Sequence, residues 1–391
     1  MLNIVLLTHP SFTGSQSMPR FASMLKIGME QRGHKVQIWS PEARAFNIPS
    51  PESLKKWLGY VDQFFFFPWE IKKRINRCEE DTLFVFTDQA LGPWIPLVRN
   101  YPHVIHCHDF LAQISALGKV PENPTGWTGR KYQSFIRWGY RYGRNFIAIS
   151  KKTQRDLGEF LLTAPSLSEV VYNGLNQSFA PQDKNESRIV LSKKFRINLS
   201  KGFILHVGGN QWYKNRKGVI EIYNSWRKKS ALELPLILIG VKPNKGLAEV
   251  YNSSNFKEDI YFMTGVEDQD LRMAYSAATV LLYPSLAEGF GWPIAEAMAS
   301  GCPVITTGEA PMTEVGGDAA FYIERKKDHD DGSCYEQAAG VLNKVLTLSP
   351  EAYQEIIGAG LRNAERFRSK IALDEIEQIY TRVRQTETAE L

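Results

Sequence analysis

Apolar residues in this chain gather in short continuous runs, set between stretches of helical spacing. The first run, NIVLLTH (3–9), is followed by KVQIWS (35–40), TLFVFTD (82–88), HVIHCHD (103–109), NFIAIS (145–150) and EVVYN (169–173). Runs of this length, rich in β-branched and aromatic residues, suit strands covered on both faces. Met18–Gln31 and Lys151–Leu161, which lie between them, read as helices. Strand alternating with helix predicts a parallel, doubly wound sheet. The pattern then restarts with FILHVG (203–208), PLILIG (235–240), IYFMTG (260–265), TVLLYPS (279–285) and PVITTG (303–308). A polar, turn-rich segment, YNGLNQSFAPQDKNES (172–187), separates the two sets and marks a domain boundary.

The expected fold class is therefore α/β, with two doubly wound Rossmann-like domains facing a cleft. Ligands bind such sheets at the carboxyl ends of their strands. The expected domains are 1–175 and 182–368, followed by a C-terminal helical segment, 369–391. Within that segment IALDEIEQIYTRVR (371–384) is amphipathic. It either caps its own domain or crosses back to the first. A length of 391 residues fits two domains of roughly 150–200 residues.

Composition narrows the class. No stretch approaches the roughly 18–20 apolar residues that span a bilayer. MLNIVLLTHP at the N-terminus lacks a basic flank and reads as a buried first strand, not a signal peptide. Cys78, Cys107, Cys302 and Cys334 lie far apart with no CxxC pair. That argues against a disulfide framework or zinc site and for a cytoplasmic location. The net charge of +5 is uneven: residues 1–173 hold 21 Lys and Arg against 14 Asp and Glu, the remainder 26 against 28. A basic first half fits an anionic surface, a phosphorylated substrate or a merely solvated face.

The chemistry concentrates in EGFGWPIAEAM (288–298), directly after the strand TVLLYPS. Gly289 and Gly291 permit backbone angles closed to other residues and a close ligand approach. Pro293 fits a first helical turn. The start of that helix offers free N–H groups and partial positive charge to an anion. Glu288 falls on the loop and Glu296 in the expected first turn, so the two carboxylates can touch different parts of one elongated ligand.

The longer string PSLAEGFGWPIAEAMASGCPVITTGEAPMTEVGGDAA resembles the signature of the family-4 retaining glycosyltransferases, a mannosyltransferase-like group with the GT-B fold. Glu288 and Glu296 match its E-x7-E motif. The resemblance implies that Glu296 binds the ribose hydroxyls of a sugar nucleotide and Glu288 the hydroxyls of the donor sugar. Backbone at Gly289, Phe290 and Gly291 then approaches sugar and diphosphate. A basic pair after the first strand of this domain neutralises the diphosphate in the family. Here HVGGNQWYKNRKGV (206–219) offers Lys214, Arg216 and Lys217. The family's arginine is replaced by Gly209, so Lys214 is favoured, with Arg216 as its substitute partner and Lys217 as the alternative lysine. Gly265 and Val266 resemble the place where backbone meets the base. Asp268-Gln269-Asp270 is read as the acidic start of a helix rather than a metal-binding pair.

In the first domain, Gly14 and Ser15 loosely match a loop that closes over donor and acceptor in the family. Neither a dinucleotide fingerprint nor a Walker loop is present. HCHDFLA (106–112) ends a strand at the same expected edge. The resemblance gives His108 contact with the donor sugar and Asp109 a role in orienting the acceptor; an imidazole there can donate to a sugar hydroxyl. Ser150 reads as an N-cap.

Two stretches join aromatics to cations: VDQFFFFPWEIKKRINR (61–77) and RKYQSFIRWGYRYGR (130–144). Such surfaces settle at bilayer interfaces; the alternative is that the aromatics are core and the cations solvated. The resemblance implies a retaining, metal-independent transferase acting on a nucleoside diphosphate sugar and a polysaccharide, glycan or lipid-linked hydroxyl acceptor. It implies no cofactor and no nucleic-acid partner; the two basic-aromatic stretches, 61–77 and 130–144, add an expectation of peripheral contact at the inner membrane face, set against the core reading. Other readings are an epimerase or phosphorylase of the same fold, or an inactive basic binding module.

Overall fold

A computed structural model describes residues 1–13, 17–175, 178–326 and 332–390. The chain divides into two units, Met1–Asn176 with Ser369–Leu391, and Gln177–Arg368. Each is built on a six-stranded, all-parallel sheet.

The first sheet comprises β1 (Asn3–Leu7), β2 (Lys35–Trp39), β3 (Leu83–Phe86), β4 (His103–Cys107), β5 (Asn145–Ala148) and β6 (Leu167–Val170), in the order β2-β1-β3-β4-β5-β6. Both faces of the central strands are covered, which is why β1, β3, β4 and β5 read as largely continuous apolar runs. On one face Val5, Leu7, Phe84, Phe86, Ile105 and Phe146 pack with Phe67, Ile71, Ile136 and Tyr140 from the helices Phe67–Ile75 and Trp127–Tyr140. Helix Trp127–Tyr140 lies backbone to backbone on the segment Gln89–Leu97: a Cβ at Gly139 would stand 2.2 Å from the Gly92 carbonyl oxygen. On the other face Ile4, Leu6, Val85, Val104 and Ile147 meet Phe21, Leu25 and Met29 of helix Ser17–Gln31.

The C-terminal helix Ser369–Glu390 completes that second face. Leu373, Ile376, Ile379, Tyr380 and Val383 enter its core. Polar contacts fix the register at both ends. Arg32 and His34 meet Glu377 at 3.1 and 2.8 Å. Further along, Glu387 accepts from Arg144 Nε and Nη2 at 3.0 and 2.6 Å and from Asn145 Nδ2 at 2.6 Å.

The second sheet comprises β7 (Ile204–Val207), β8 (Leu236–Ile239), β9 (Ile260–Met263), β10 (Val280–Tyr283), β11 (Val304–Thr307) and β12 (Ala320–Ile323), in the order β12-β11-β10-β7-β8-β9. The first five coincide with the apolar runs. The sixth, AFYI, falls outside those runs; it is an edge strand with only Ile323 fully buried. Helices Arg216–Arg227 and Ser333–Leu346 cover one face through Val219, Tyr223, Trp226, Ala338 and Leu342. Leu205, Ile237, Leu281 and Val304 are equally buried.

Each sheet holds buried histidine: His103 and His106 on β4, and His206 on β7. Burial pushes His106 and His206 down to about 3, with His108 adding to the shift of His106. His106 Nε2 lies 2.7 Å from the Tyr380 hydroxyl. Between pH 6.5 and 3 such a histidine takes up its proton only in the unfolded chain, so stability falls as pH falls through that window. Between pH 7 and pH 5 His106 and His206 are each expected to remove about 2 kcal/mol. Glutamine at position 106 keeps an acceptor for Tyr380, and His106→Gln should shrink the pH 7 to pH 5 difference in urea-unfolding free energy by that amount. An undiminished difference would show that His106 titrates while folded.

Candidate active site

In a doubly wound sheet the crevice opens where strand order reverses. In the second unit that point lies between β7 and β10, which are neighbours although 73 or more residues apart. The loops that leave these two strands are knitted together. Leu286 N–H donates to the Tyr213 carbonyl at 2.7 Å, and Asn215 Nδ2 to the Pro284 carbonyl at 2.9 Å. Asn215 adopts a left-handed conformation (φ 49°) and caps helix Arg216–Arg227 by accepting from Gly218 N–H. The turn Trp212–Lys214 is thereby held with Lys214 directed at β10.

Lys214 Nζ lies 2.9 and 3.0 Å from the two Glu288 oxygens and 2.6 Å from the Tyr283 hydroxyl. Glu288 Oε1 also accepts from Tyr283 at 2.6 Å, and the Ser285 hydroxyl lies 2.5 Å away. The side chains of Lys214 and Glu288 are 16% and 7% exposed, so little water screens the pair. Tyr283 ends β10 and is fully buried. Burial and the Glu288 charge push its phenol well above its ordinary range, so it serves here as a donor. The structure thus joins Lys214 and Glu288, which the sequence reading had placed against different parts of a ligand.

Beyond Glu288, Gly291 turns the chain at φ +105° and caps helix Trp292–Ala299. Because the helix starts at Trp292, Glu296 is its fifth residue and not in its first turn. Its Oε2 accepts from the Tyr275 hydroxyl at 2.7 Å. Tyr275 is itself fully buried, and burial with the Glu296 charge drives its phenol far up. Each glutamate therefore leans on a buried tyrosine. The side chain of Phe290 goes to the core, edge-on to Trp292 and Phe367, which leaves its backbone and that of Gly289 on the loop.

The other expected cations are placed differently. Arg216 is 4% exposed, and its Nη1 donates to Asn210 Oδ1 at 2.6 Å and to the Val241 carbonyl at 2.9 Å. It ties the loop after β7 to the loop after β8 and makes no bond to Glu288. Its Nε and Nη2 are buried without a hydrogen-bond partner, and burial lowers the guanidinium to about 10. Lys217 is exposed, with its ammonium beside Gly246 rather than Glu288. Gly265 has φ +67° and, with Val266, follows β9 at the sheet's outer edge, two strands from β7. Asp270 pairs with Lys194 at the start of helix Asp268–Ala277.

In the first unit strand order reverses between β1 and β3. There His9 Nε2 and Asp88 Oδ2 are 2.9 Å apart. Burial alone would raise the Asp88 carboxyl, but the His9 hydrogen bond and charge, with His108, leave it below its usual range. His108 is held by Nε2–H donating to the Thr87 carbonyl at 2.8 Å and by its own N–H donating to Gln89 Oε1. The imidazole's donor is thus spent on the protein, and Nδ1 is left as an acceptor. This reverses the donor role expected from the sequence. Burial lowers the basicity of His108, opposed by the Asp88 charge. Asp109 Oδ1 accepts from Leu111 N–H at 2.9 Å, so its carboxylate closes the turn into the next helix. Ser150 caps helix Lys151–Phe160 by accepting from Thr153 N–H. Gly14 and Ser15 lie outside the described residues.

His9, Asp88, Tyr213, Tyr275, Tyr283 and Ser285 escape the sequence reading. A signal existed for the first two, since they are the polar residues that end the apolar runs 3–9 and 82–88.

Two parallel, doubly wound sheets, each with a polar cluster at its switch point, are the architecture of the GT-B fold. Comparison with known proteins agrees. Residues 187–348 match the family model for glycosyl transferases group 1, and residues 18–179 that for glycosyltransferase family 4. Together the two models span most of the chain and place it among the family-4 glycosyltransferases. It is 31% identical over 169 residues to O-antigen chain mannosyltransferase B of Escherichia coli, covering 42% of each chain. It is 24% identical over 245 residues to O-antigen chain mannosyltransferase RfbU of Salmonella typhimurium, covering 62% of this chain and 61% of that one. The matches thus span 42% and 61% of these relatives' own length. In fold it is similar to sucrose-phosphate synthase from Thermosynechococcus elongatus, with a TM-score of 0.73, 15% identity, and 98% and 99% of the two chains covered.

Proposed function

We propose that this chain transfers a hexosyl group from a nucleoside diphosphate sugar to a hydroxyl of a glycan or lipid-linked acceptor, with retention at the anomeric carbon and without a metal. The Lys214–Glu288 pair at the second sheet's switch point carries this reading. A leaving diphosphate gains negative charge in the transition state, and a fixed, poorly hydrated ammonium stabilises it. Lys214 takes that role, joined by the two nitrogens of Arg216 that the protein leaves without acceptors. Glu288 holds sugar hydroxyls and Glu296 the ribose. His108, through Nδ1, accepts from a hydroxyl of the donor sugar.

The glutamates act as binders, not as the acid and nucleophile of a hydrolase. The acceptor oxygen bonds to the anomeric carbon on the face from which the diphosphate oxygen departs, and the acceptor proton leaves with the diphosphate. The sugar nucleotide is substrate, so no resident cofactor is required. The names of the two O-antigen relatives place mannose first among the sugars to test.

The test is thermal shift and nucleotide release with UDP-, GDP-, ADP- and dTDP-hexoses. One donor should stabilise the protein and be turned over; a flat response to all four would end the proposal. Glu296→Ala should raise the donor KM with little change in kcat. Tyr275→Phe should do the same more weakly. A hydrogen bond to a charged group contributes roughly 1.5–3 kcal/mol, so a KM rise of about tenfold is the expected scale. An unchanged KM in Tyr275→Phe would remove Glu296 from the donor site.

A further inference from the structure

Outside the candidate site, the first unit carries a surface that its own core does not explain. Helix Glu52–Val61 continues through a widened turn, Asp62–Phe66, into helix Phe67–Ile75. Its outer side exposes Leu54, Trp57, Val61, Phe65 and Trp69, at 40% to 70% of their area. Their spacing of three or four residues makes one helical stripe. Helix Trp127–Tyr140 exposes Trp127, Phe135 and Trp138 in the same manner, followed by Tyr142.

The two helices meet through their rings. Tyr60 stacks on Tyr132 with centroids 5.2 Å apart, and Phe64 touches Tyr132 and Phe135. Trp57 joins this ladder at Tyr60, and Trp138 and Tyr142 extend it from Phe135. The Phe run therefore divides. Phe67 enters the core, while Phe65 is 70% exposed, so neither all-core nor all-surface describes it. A contiguous aromatic surface, unlike scattered exposed residues, marks an interaction site.

Charge identifies what covers it. Residues 52–77 contain three acids: Glu52 is exposed at the helix start, whereas Asp62 and Glu70 are turned inward. Asp62 accepts from the backbone N–H groups of Arg44, Ala45 and Phe46, and Glu70 pairs with Arg44 and Arg74. Residues 125–144 contain no acid at all. Apart from Glu52, the outward charges are cationic, among them Lys56, Lys72, Lys73, Arg130, Lys131 and Arg141. Lys73 lies 3.3 Å over the Trp69 ring, and Lys56 and Lys131 lie 5.8 Å over Tyr60 and Trp127. Aromatic rings at headgroup depth, with cations on long stems around them, match the interface of an anionic bilayer.

We propose that this face docks the protein on the headgroup layer of an anionic membrane. The mode is interfacial: among the described residues no helix is long and apolar enough to cross one. Helix Trp127–Tyr140 rests on the segment Gln89–Leu97, whose Gln89 holds His108. The face is thus rigidly joined to the polar edge of its own sheet. The proposal stands on this surface alone and does not depend on donor chemistry.

The test is co-sedimentation of the full chain with phosphatidylcholine vesicles, with and without phosphatidylglycerol, at low and high salt. Phosphatidylglycerol should raise binding at least roughly tenfold, since each cation near the surface contributes about 1 kcal/mol. Salt should reverse much of the gain, and tryptophan emission should shift to the blue on binding. The triple variant Trp57→Ser, Phe65→Ser, Trp138→Ser should lose vesicle binding while keeping its donor-induced thermal shift. The double variant Lys56→Glu, Lys131→Glu removes charge without touching the rings and should lose only the phosphatidylglycerol-dependent part. Equal sedimentation with and without phosphatidylglycerol would overturn the proposal. So would full binding by both variants. A wild-type dimer that the triple variant dissociates, without vesicle binding, would assign the face to a second copy instead.

Discussion

Replacing Lys214 by methionine is expected to lower turnover by two to three orders of magnitude and to destabilise the second unit by about 3–5 kcal/mol. Both effects have one origin. Glu288 is buried among Tyr283, Ser285 and Lys214, and only Lys214 in that group brings positive charge. Removing it leaves a buried carboxylate without its counter-ion. Glu288→Gln has the converse defect, a nearly buried ammonium facing a neutral amide. The double variant Lys214→Met, Glu288→Gln removes both charges together, and a buried pair replaced as a whole is often close to neutral in stability. Its unfolding free energy should therefore lie within about 1 kcal/mol of the wild type, while its activity stays as low as that of the single variants. Urea unfolding and nucleoside diphosphate release on the four proteins read the two effects separately. Additive stability losses would show that the pair is not a closed unit, and full activity in Lys214→Met would remove it from the chemistry.

This pair also shows where sequence reading stops. Lys214 and Glu288 are each visible as candidates, one by its place after a strand and one by its glycine-rich loop. Their meeting is not visible, because they are 74 residues apart and become neighbours only when β10 pairs with β7 instead of β9. The His9–Asp88 contact is hidden for the same reason, since it needs β3 beside β1. The buried strands, in contrast, are legible because both faces are covered and every position is apolar. β12 is not, although the other edge strand of its sheet, β9, is. Arg216 illustrates a third limit. A cation next to a loop looks like an anion ligand, but its Nη1 goes to Asn210 and Val241, and only its other nitrogens remain. Sequence gives the residue type and neighbourhood; the partition of its hydrogen bonds is a property of the folded backbone.

Removing the C-terminal helix should be the most damaging change to the first unit. A chain ending at Arg368 would strip Leu373, Ile376, Ile379, Tyr380 and Val383 from the sheet face formed by Ile4, Leu6, Val85, Val104 and Ile147. At about 1.5–3 kcal/mol for each large buried side chain, the loss is on the order of 10 kcal/mol, as large as the stability of a typical domain. Polar groups would suffer too. His106 would lose the Tyr380 hydroxyl, and Arg144 and Asn145 would lose the Glu387 carboxylate. Among the described residues, the second unit, Gln177–Arg368, contributes none to that core, and it should remain folded. Limited proteolysis with mass mapping distinguishes the two: cleavage should spread through residues 1–175 while the 182–368 region resists. Glu387→Ala is the milder form, expected to cost about 3 kcal/mol because it leaves Arg144 and Asn145 without their acceptor. Uniform protection of the truncated chain would show that helix Ser369–Glu390 only decorates the sheet, and the assignment of a far C-terminal segment to the first unit would fail with it.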